Sequence, residues 1–158
     1  MIIKSLPLLV VAAVVGLVGL FALNSPVTAQ QAIERSFSSN QVSAGNVLTV
    51  TISNLGLGAG TPASLEETIP DGFTFLDGDT VVAPDPPAIV SGVIEGRVIT
   101  FTMLGGDTLT YKLSVDANAA ARRTHFAGTL TTLGGTPQQI LGDDEVDIVA
   151  AAVDTPTP

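Results

Sequence analysis

Val47-Leu48-Thr49-Val50-Thr51-Ile52-Ser53 is the most informative run of residues for the fold class of this chain. Leu48, Val50 and Ile52 alternate with threonine and serine, so an apolar side chain recurs at every second position. A period of two is typical of a strand that buries one face and exposes the other, because successive side chains point to opposite sides. The run therefore predicts a half-buried β-strand with a hydroxyl-rich outer face.

The same alternation recurs at four further places along the chain. The side chains predicted to point inward are Ile99, Phe101 and Met103 in residues 97–103, Leu109, Tyr111, Leu113 and Val115 in residues 109–115, Phe126, Gly128 and Leu130 in residues 125–132, and Val146, Ile148 and Ala150 near the end. Shorter candidate strands are Ser64–Ile69, Phe73–Leu76, Thr80–Ala83 and Ala88–Ile94. Turn-forming Gly, Pro, Asn and Asp separate these runs. About 7–9 short strands of this kind predict an all-β fold, an antiparallel sandwich.

One short helix is the only other element that the sequence predicts after the first residues. An aspartate able to cap a helix precedes an alanine run within Asp116–Arg123. We expect at most one or two helical turns there, at one end of the sandwich.

The first 29 residues have the composition of an export signal followed by a cleavage site. Lys4 precedes the apolar run Leu6–Leu23, and Val27-Thr28-Ala29 presents small residues to a signal peptidase. We predict cleavage between Ala29 and Gln30. The alternative is an uncleaved hydrophobic helix that anchors the chain, since residues 6–23 are close to the minimum length for a membrane span. Either interpretation places the chain from Gln30 onward outside the cytoplasm, secreted or at the cell surface.

The rest of the chain is predicted to be one module and a short tail. Residues 30–153 hold the predicted strands and form the β-sandwich module, of which there is no second copy. Residues 154–158 are a Thr-Pro repeat, which stays extended and is typical of a linker or tail. The chain has no cysteine, so packing, a metal or another crosslink must hold the module together.

The acidic charge of the chain excludes two classes of partner. Its formal net charge is −9, which repels nucleic acid and anionic lipid. We therefore expect no nucleic acid partner, and membrane contact only through residues 6–23 if these are not cleaved.

Three segments of the mature chain, in order, resemble a known surface module. They are Ala44-Gly45-Asn46 leading into Leu48–Gly56, then Glu67–Leu76 with its Ile-Pro-Asp-Gly-Phe turn, then Val98–Phe101 followed by Leu104-Gly105-Gly106-Asp107 and Leu109–Val115. This order resembles the surface repeat of bacterial and archaeal exported proteins known as domain of unknown function eleven. Its usual late strand is replaced here by Phe126–Leu130. The resemblance implies an immunoglobulin-like β-sandwich that acts as a stalk, spacer or adhesive unit, and it brings no catalytic residues.

The residues that could carry catalysis are few. His125 is the only histidine, and no Gly-x-Ser-x-Gly motif accompanies it. We expect His125 to be an exposed residue at a strand edge, because no positioned partner is evident. A hydrolase with an unrecognised site would depend on it. The sequence therefore predicts that the protein is not an enzyme and uses no zinc.

Two acidic clusters are weak candidates for a calcium site. Carboxylate oxygens converging from loops are the ligands that calcium prefers, although neither cluster has EF-hand spacing. The candidate ligands are Asp77, Asp79, Asp143, Asp144, Glu145 and Asp147. The pair Arg122-Arg123 could meet an acidic glycan but is typical of solvated arginine. Lys112 is predicted to point outward, which argues against an isopeptide crosslink, since that bond needs a buried lysine.

The sequence thus predicts an exported, non-enzymatic surface or secreted module with a structural, spacer or adhesive role. Its partner would be an extracellular or surface protein or a glycan, whose identity the sequence does not give. No cofactor or metal is predicted. The alternative is a ligand-binding module that takes calcium or a glycan on the acidic loops at one end of the sandwich.

Overall fold

Fourteen strands make up the secondary structure of the computed structural model, which describes residues 31–78, 80–83 and 88–151. In chain order they are β1 (Glu34–Phe37), β2 (Gln41–Ser43), β3 (Val47–Ser53), β4 (Leu57–Thr68), β5 (Phe73–Phe75), β6 (Val81–Ala83), β7 (Ala88–Glu95), β8 (Val98–Gly106), β9 (Thr108–Val115), β10 (Arg122–His125), β11 (Ala127–Thr132), β12 (Gln138–Gln139), β13 (Leu141–Gly142) and β14 (Glu145–Val149). Within these residues no helix could cross a membrane. The prediction of an all-β, mainly antiparallel fold is confirmed.

The strand count exceeds the predicted 7–9 because several strands are too short to show an alternating pattern. Among the strands of two to four residues, β1 and β2 hold one buried position each, and β12 and β13 hold none. The predicted N-terminal helix, the cleavage site at Ala29 and Gln30, and the Thr-Pro tail lie outside the described residues.

Three sheets organise these strands. The six-stranded sheet has the order β13-β1-β3-β9-β5, with β6 also paired to β9, and the five-stranded sheet has the order β12-β11-β4-β8-β7. A three-stranded sheet, β10-β14-β2, completes the set. The pairs are antiparallel except for β1 with β13 and β2 with β14, which are parallel.

The alternation of apolar and polar residues along the strands produces the core. Leu48 pairs with Leu113, Val50 with Tyr111 and Ile52 with Leu109 across β3 and β9, and all six side chains are fully buried. From the five-stranded sheet, the alternate residues of β4 and β8 that lie in the same core are Ala63, Leu65, Ile99, Phe101 and Met103. The rings of Phe101 and Tyr111 meet at 5.2 Å between centroids. Each large apolar side chain buried this way stabilises the fold by about 1.5–3 kcal/mol.

The predicted helix at Asp116–Arg123 was wrong. Residues 117–118 form a turn in which the Ala119 N–H donates to the Asp116 carbonyl at 2.9 Å, and Arg122 and Arg123 begin β10. Pairing of β10 with β14 outweighs the helix propensity of so short an alanine run. The prediction that Ala150 points inward was also wrong, because β14 ends at Val149 and Ala150 is exposed.

Candidate functional site

A buried ionic cluster joins the two larger sheets through the core. Arg35 on β1 donates from Nη2 to Glu67 Oε1 on β4 at 2.8 Å, and both side chains are at most 1% exposed. Tyr111 on β9 donates its hydroxyl to Glu67 Oε2 at 3.2 Å. Arg35 Nη1 also donates to the Asp143 carbonyl at 3.2 Å, while its Nε is buried without a partner. The cluster is closed to solvent, so its role is structural.

Burial shifts the titration of the two acids in this cluster. Desolvation raises the pKa of Glu67, and the charge and hydrogen bonds of Arg35 and Tyr111 only partly oppose it. Desolvation also raises the pKa of Tyr111 well above its ordinary value, and the neighbouring Glu67 carboxylate adds to this rise. Gly128 leaves room for the carboxylate, since a Cβ built there would lie 2.3 Å from Glu67 Oε1.

Only part of this cluster is predictable from the sequence. Tyr111 was correctly predicted to point inward, but Arg35 fell in no predicted strand. One signal was available for Glu67, which follows Ala63 and Leu65 at alternate positions of β4 and precedes Ile69 in the same phase. An acid on that inward row needs a buried cation, because an unpaired charge in the core is costly.

A second ionic cluster lies exposed where β10 pairs with β14. Arg123 Nε contacts Asp147 Oδ1 at 3.1 Å, and its Nη1 contacts Glu145 Oε2 at 3.3 Å. These carboxylates raise the pKa of Arg123. His125 Nδ1 lies 3.5 Å from Glu145 Oε1 and its side chain is 63% exposed, as predicted for a residue on this sheet's edge. Two calcium candidates, Glu145 and Asp147, therefore already face a cation.

The remaining calcium candidates are scattered. Asp77 lies in the turn after β5, and Asp79 is outside the described residues. Asp143 and Asp144 lie between β13 and β14, where their backbone carbonyls accept from Arg35 and from the Phe126 N–H. Among the described residues, no three His, Cys, Asp or Glu side chains are grouped closely enough to hold a metal ion.

The outer face of the five-stranded sheet is a candidate surface for recognition. Across β11, β4 and β8 the pairing places Thr131 beside Ser64 and Thr102 in one row. The next rows are Thr129 with Glu66 and Thr100, and Ala127 with Thr68 and Val98. We call this set of outward hydroxyls the hydroxyl face, made of Ser64, Thr68, Thr100, Thr102, Thr129 and Thr131.

An apolar depression borders the hydroxyl face at one end. It has a volume of about 370 Å³ and is lined by Pro62, Ala63, Leu133 and the flanking serine and threonines. Leu133 is 83% exposed, and Leu104, which pairs with Pro62 in the adjacent strand, is 39% exposed. Exposed leucines beside a weakly charged face are typical of a contact surface.

The outer face of the six-stranded sheet differs, because several of its hydroxyls form hydrogen bonds within the protein. Thr51 Oγ1 lies 3.4 Å from Thr110 Oγ1. Ser114 Oγ donates to the Thr74 carbonyl at 3.3 Å, and Thr74 Oγ1 donates to Asp116 Oδ1 at 3.3 Å. Lys112, half-buried on β9, also belongs to this face, so the prediction that it points out of the core is confirmed. Part of the hydroxyl groups on this outer face is therefore already used in hydrogen bonds within the protein.

Comparison with known proteins gives the fold but no family. No family model matches the chain, and no curated protein matches it. Among solved structures, the chain is similar to a cohesin module from a Clostridium perfringens family 33 glycoside hydrolase, with a TM-score of 0.52 and 11% identity over 76% of this chain and 98% of that one. It is also similar to a chain of a type II cohesin–X–dockerin complex from Acetivibrio cellulolyticus, with a TM-score of 0.50 and 9% identity over 75% and 99% of the two chains. At these identities the likenesses show the fold alone, a β-sandwich.

Proposed function

We propose that the chain is an exported, non-enzymatic module of the cell surface or extracellular space, which acts as a spacer and binds a partner protein through the hydroxyl face. The observation that carries this proposal is the weakly charged hydroxyl face ending in the apolar depression at Leu133. Protein interfaces combine a core depleted in charge with a few apolar anchors seated in pockets.

The charge of the module favours a basic partner. Glu66 is the charged residue in the three rows across β11, β4 and β8, and Glu95 on β7 lies beside Val98 at the end of the last row. The whole chain has a net charge of −9. A partner that places an apolar side chain at Leu133 and lysine or arginine around it would complement both features. The similar Acetivibrio chain comes from a complex with another protein, which supports a protein partner.

Export and family membership belong to the same proposal. Residues 1–29 have the composition of a signal segment, and a sandwich without cysteine relies on packing and on the Arg35–Glu67 pair. The three segments that resemble domain of unknown function eleven support membership in that group of surface modules. The intact mass of the protein from native cells and medium tests export, since a mass beginning at Gln30 in the medium requires cleavage and secretion.

The binding face is tested by crosslinking in the native host. A photo-crosslinking amino acid replaces Thr102 on the hydroxyl face or, as a matched control, Thr110 on the opposite outer face. We expect crosslinks to a discrete protein only from position 102. The purified partner is then titrated against the unmodified chain, T102R and T110R. Loss of binding in T102R alone supports the proposal, and equal affinity for all three proteins overturns it.

A further inference from the structure

The two end segments of the module pair with each other in parallel. The first segment, residues 33–44, contains β1 and β2, and the last segment, residues 141–149, contains β13 and β14. β1 pairs with β13 in the six-stranded sheet, and β2 pairs with β14 in the three-stranded sheet. Both segments therefore pass together from one sheet to the other.

Backbone hydrogen bonds join the two segments along their length. Besides the ladder pairs, four N–H groups donate across: Leu141 to Ile33 at 2.8 Å, Asp143 to Arg35 at 2.9 Å, Asp147 to Asn40 at 2.9 Å and Ala44 to Val149 at 3.0 Å. Gly142 permits this approach, since its φ is +85° and a Cβ there would lie 2.4 Å from the Arg35 carbonyl oxygen. The segments are thus in direct backbone contact at both sheets.

The parallel direction decides how this contact responds to tension. The start of the first segment and the finish of the last segment lie at opposite ends of the pairing, because the strands run the same way. Tension between the two ends of the module therefore slides one segment along the other. All the cross-segment hydrogen bonds then bear the load together, whereas strands pulled apart from the same end lose them one after another.

The buried ionic cluster opposes the same sliding motion. Arg35 is held by Glu67 in the opposite sheet and bonds the Asp143 carbonyl of the last segment. Moving the first segment by one residue would withdraw Arg35 and leave Glu67 buried without its cation, which is strongly unfavourable. The Arg35 side chain therefore holds the first segment in register near the start of its pairing with the last segment.

We infer that the module is built to carry tension between its two ends, with the paired end segments acting as a shear clamp. The inference rests on the proposed spacer role, and it deepens that role by naming the mechanical property and the residues that supply it. A spacer under tension at a surface would need such a property, whereas a module that only binds in solution would not.

Single-molecule pulling on the full chain tests the clamp. The chain has no cysteine, so pairs of introduced cysteines define the attachment points. Q31C with A151C pulls on the ends of the described module, and N40C with D144C pulls on residues at the same end of the β2–β14 pairing. We expect a severalfold higher unfolding force for the first pair. An equal or lower force for the first pair overturns the inference.

A matched pair of variants links the force to the clamp itself. L141P removes the N–H that donates to Ile33, while L141A keeps that N–H and shortens a side chain that is 52% exposed. We expect L141P to lower the force between positions 31 and 151 and L141A to leave it unchanged. If L141P does not fold, R35K replaces it and is expected to lower the same force. Lysine retains a cation for Glu67 but cannot also donate to the Asp143 carbonyl.

The pulling experiment tests the clamp independently of partner binding through the hydroxyl face. The forces are measured on the purified chain without a partner, so missing crosslinks from position 102 would not alter them. Conversely, a low force with intact crosslinking would refute the clamp and leave partner binding in place.

Discussion

Replacing Arg35 with methionine should be among the most destabilising single changes in the module. The substitution keeps most of the side-chain volume but leaves the Glu67 carboxylate buried with only the Tyr111 hydroxyl as a donor. Removing one partner of a buried pair costs about 3–5 kcal/mol, because the other charge remains unpaired. Since domains of this size are stable by about 5–15 kcal/mol, the loss is a large part of the total.

The assay is urea denaturation followed by fluorescence of Tyr111, the sole tyrosine in a chain without tryptophan. At roughly 4 °C per kcal/mol, R35M should also lower the melting temperature by about 12–20 °C. R97M is the matched control, because Arg97 pairs with Asp71 at the surface with side chains 46% and 75% exposed. We expect the control to cost less than about 1 kcal/mol.

A double substitution separates the lost charge pair from lost packing. R35M/E67Q removes both charges and keeps an amide oxygen for the Tyr111 hydroxyl, so it should be more stable than R35M alone. The reasoning would be refuted if R35M were no more destabilised than R97M. It would also be refuted if R35M/E67Q were less stable than R35M by as much as E67Q alone destabilises the unmodified protein.

The pH dependence of R35M follows from the pKa of Glu67. Burial raises the pKa of Glu67 in the folded protein above its value in the unfolded chain. The stability that Glu67 contributes is therefore full below the unfolded pKa, and it is lost as the pH rises through the folded pKa. Arg35 is the main group that lowers the pKa of Glu67. Removing Arg35 therefore raises this pKa further, so Glu67 stays protonated in the folded state up to a higher pH. The deficit of R35M relative to the unmodified protein should therefore be smaller near about pH 5 than near about pH 8.

The remaining predictions concern the core, the carboxylate pocket and metal binding. Stability should fall as the pH rises past about 10, because the folded pKa of Tyr111 is raised, and Y111F should abolish that fall in alkaline unfolding curves. F101A should cost about 3–5 kcal/mol in urea denaturation, and a loss below about 1 kcal/mol would contradict its burial. G128A should lose about 1–3 kcal/mol through the clash with Glu67, measured the same way. Calcium should leave the melting temperature unchanged, and a rise that D143A abolishes would contradict this.

The long strands could be predicted because their alternation is local. In β3, β8 and β9, seven to nine residues repeat the pattern, so the inward placement of Phe101 and Tyr111 follows directly. The helix predicted at Asp116–Arg123 failed because local propensity competes with pairing to β14, a strand that lies later in the chain. Periodicity carries no information about which strands become neighbours.

The same limit explains why the ionic cluster and the hydroxyl face were not predicted as such. Arg35 lies on a four-residue strand, in which the half-buried Phe37 is the one other residue in phase, so the strand is too short to show an alternating pattern. The hydroxyl face needs the register of β4, β8 and β11 to bring Ser64, Thr102 and Thr131 into one row. Threonine alternation in each strand was visible in the sequence, but the surface those strands share was not.

The pairing of the first and last segments also sets the order in which the chain can finish folding. Arg35 and Asp143 are 108 residues apart, and the partner strands β13 and β14 are the last described strands of the chain. Contacts this distant in sequence form late, because closing a long loop costs entropy before any contact repays it. A chain crossing a membrane from its N-terminus would therefore remain incompletely folded until β13 and β14 had emerged. A protein exported in this way stays competent for transport throughout, and it acquires its final stability only on the far side.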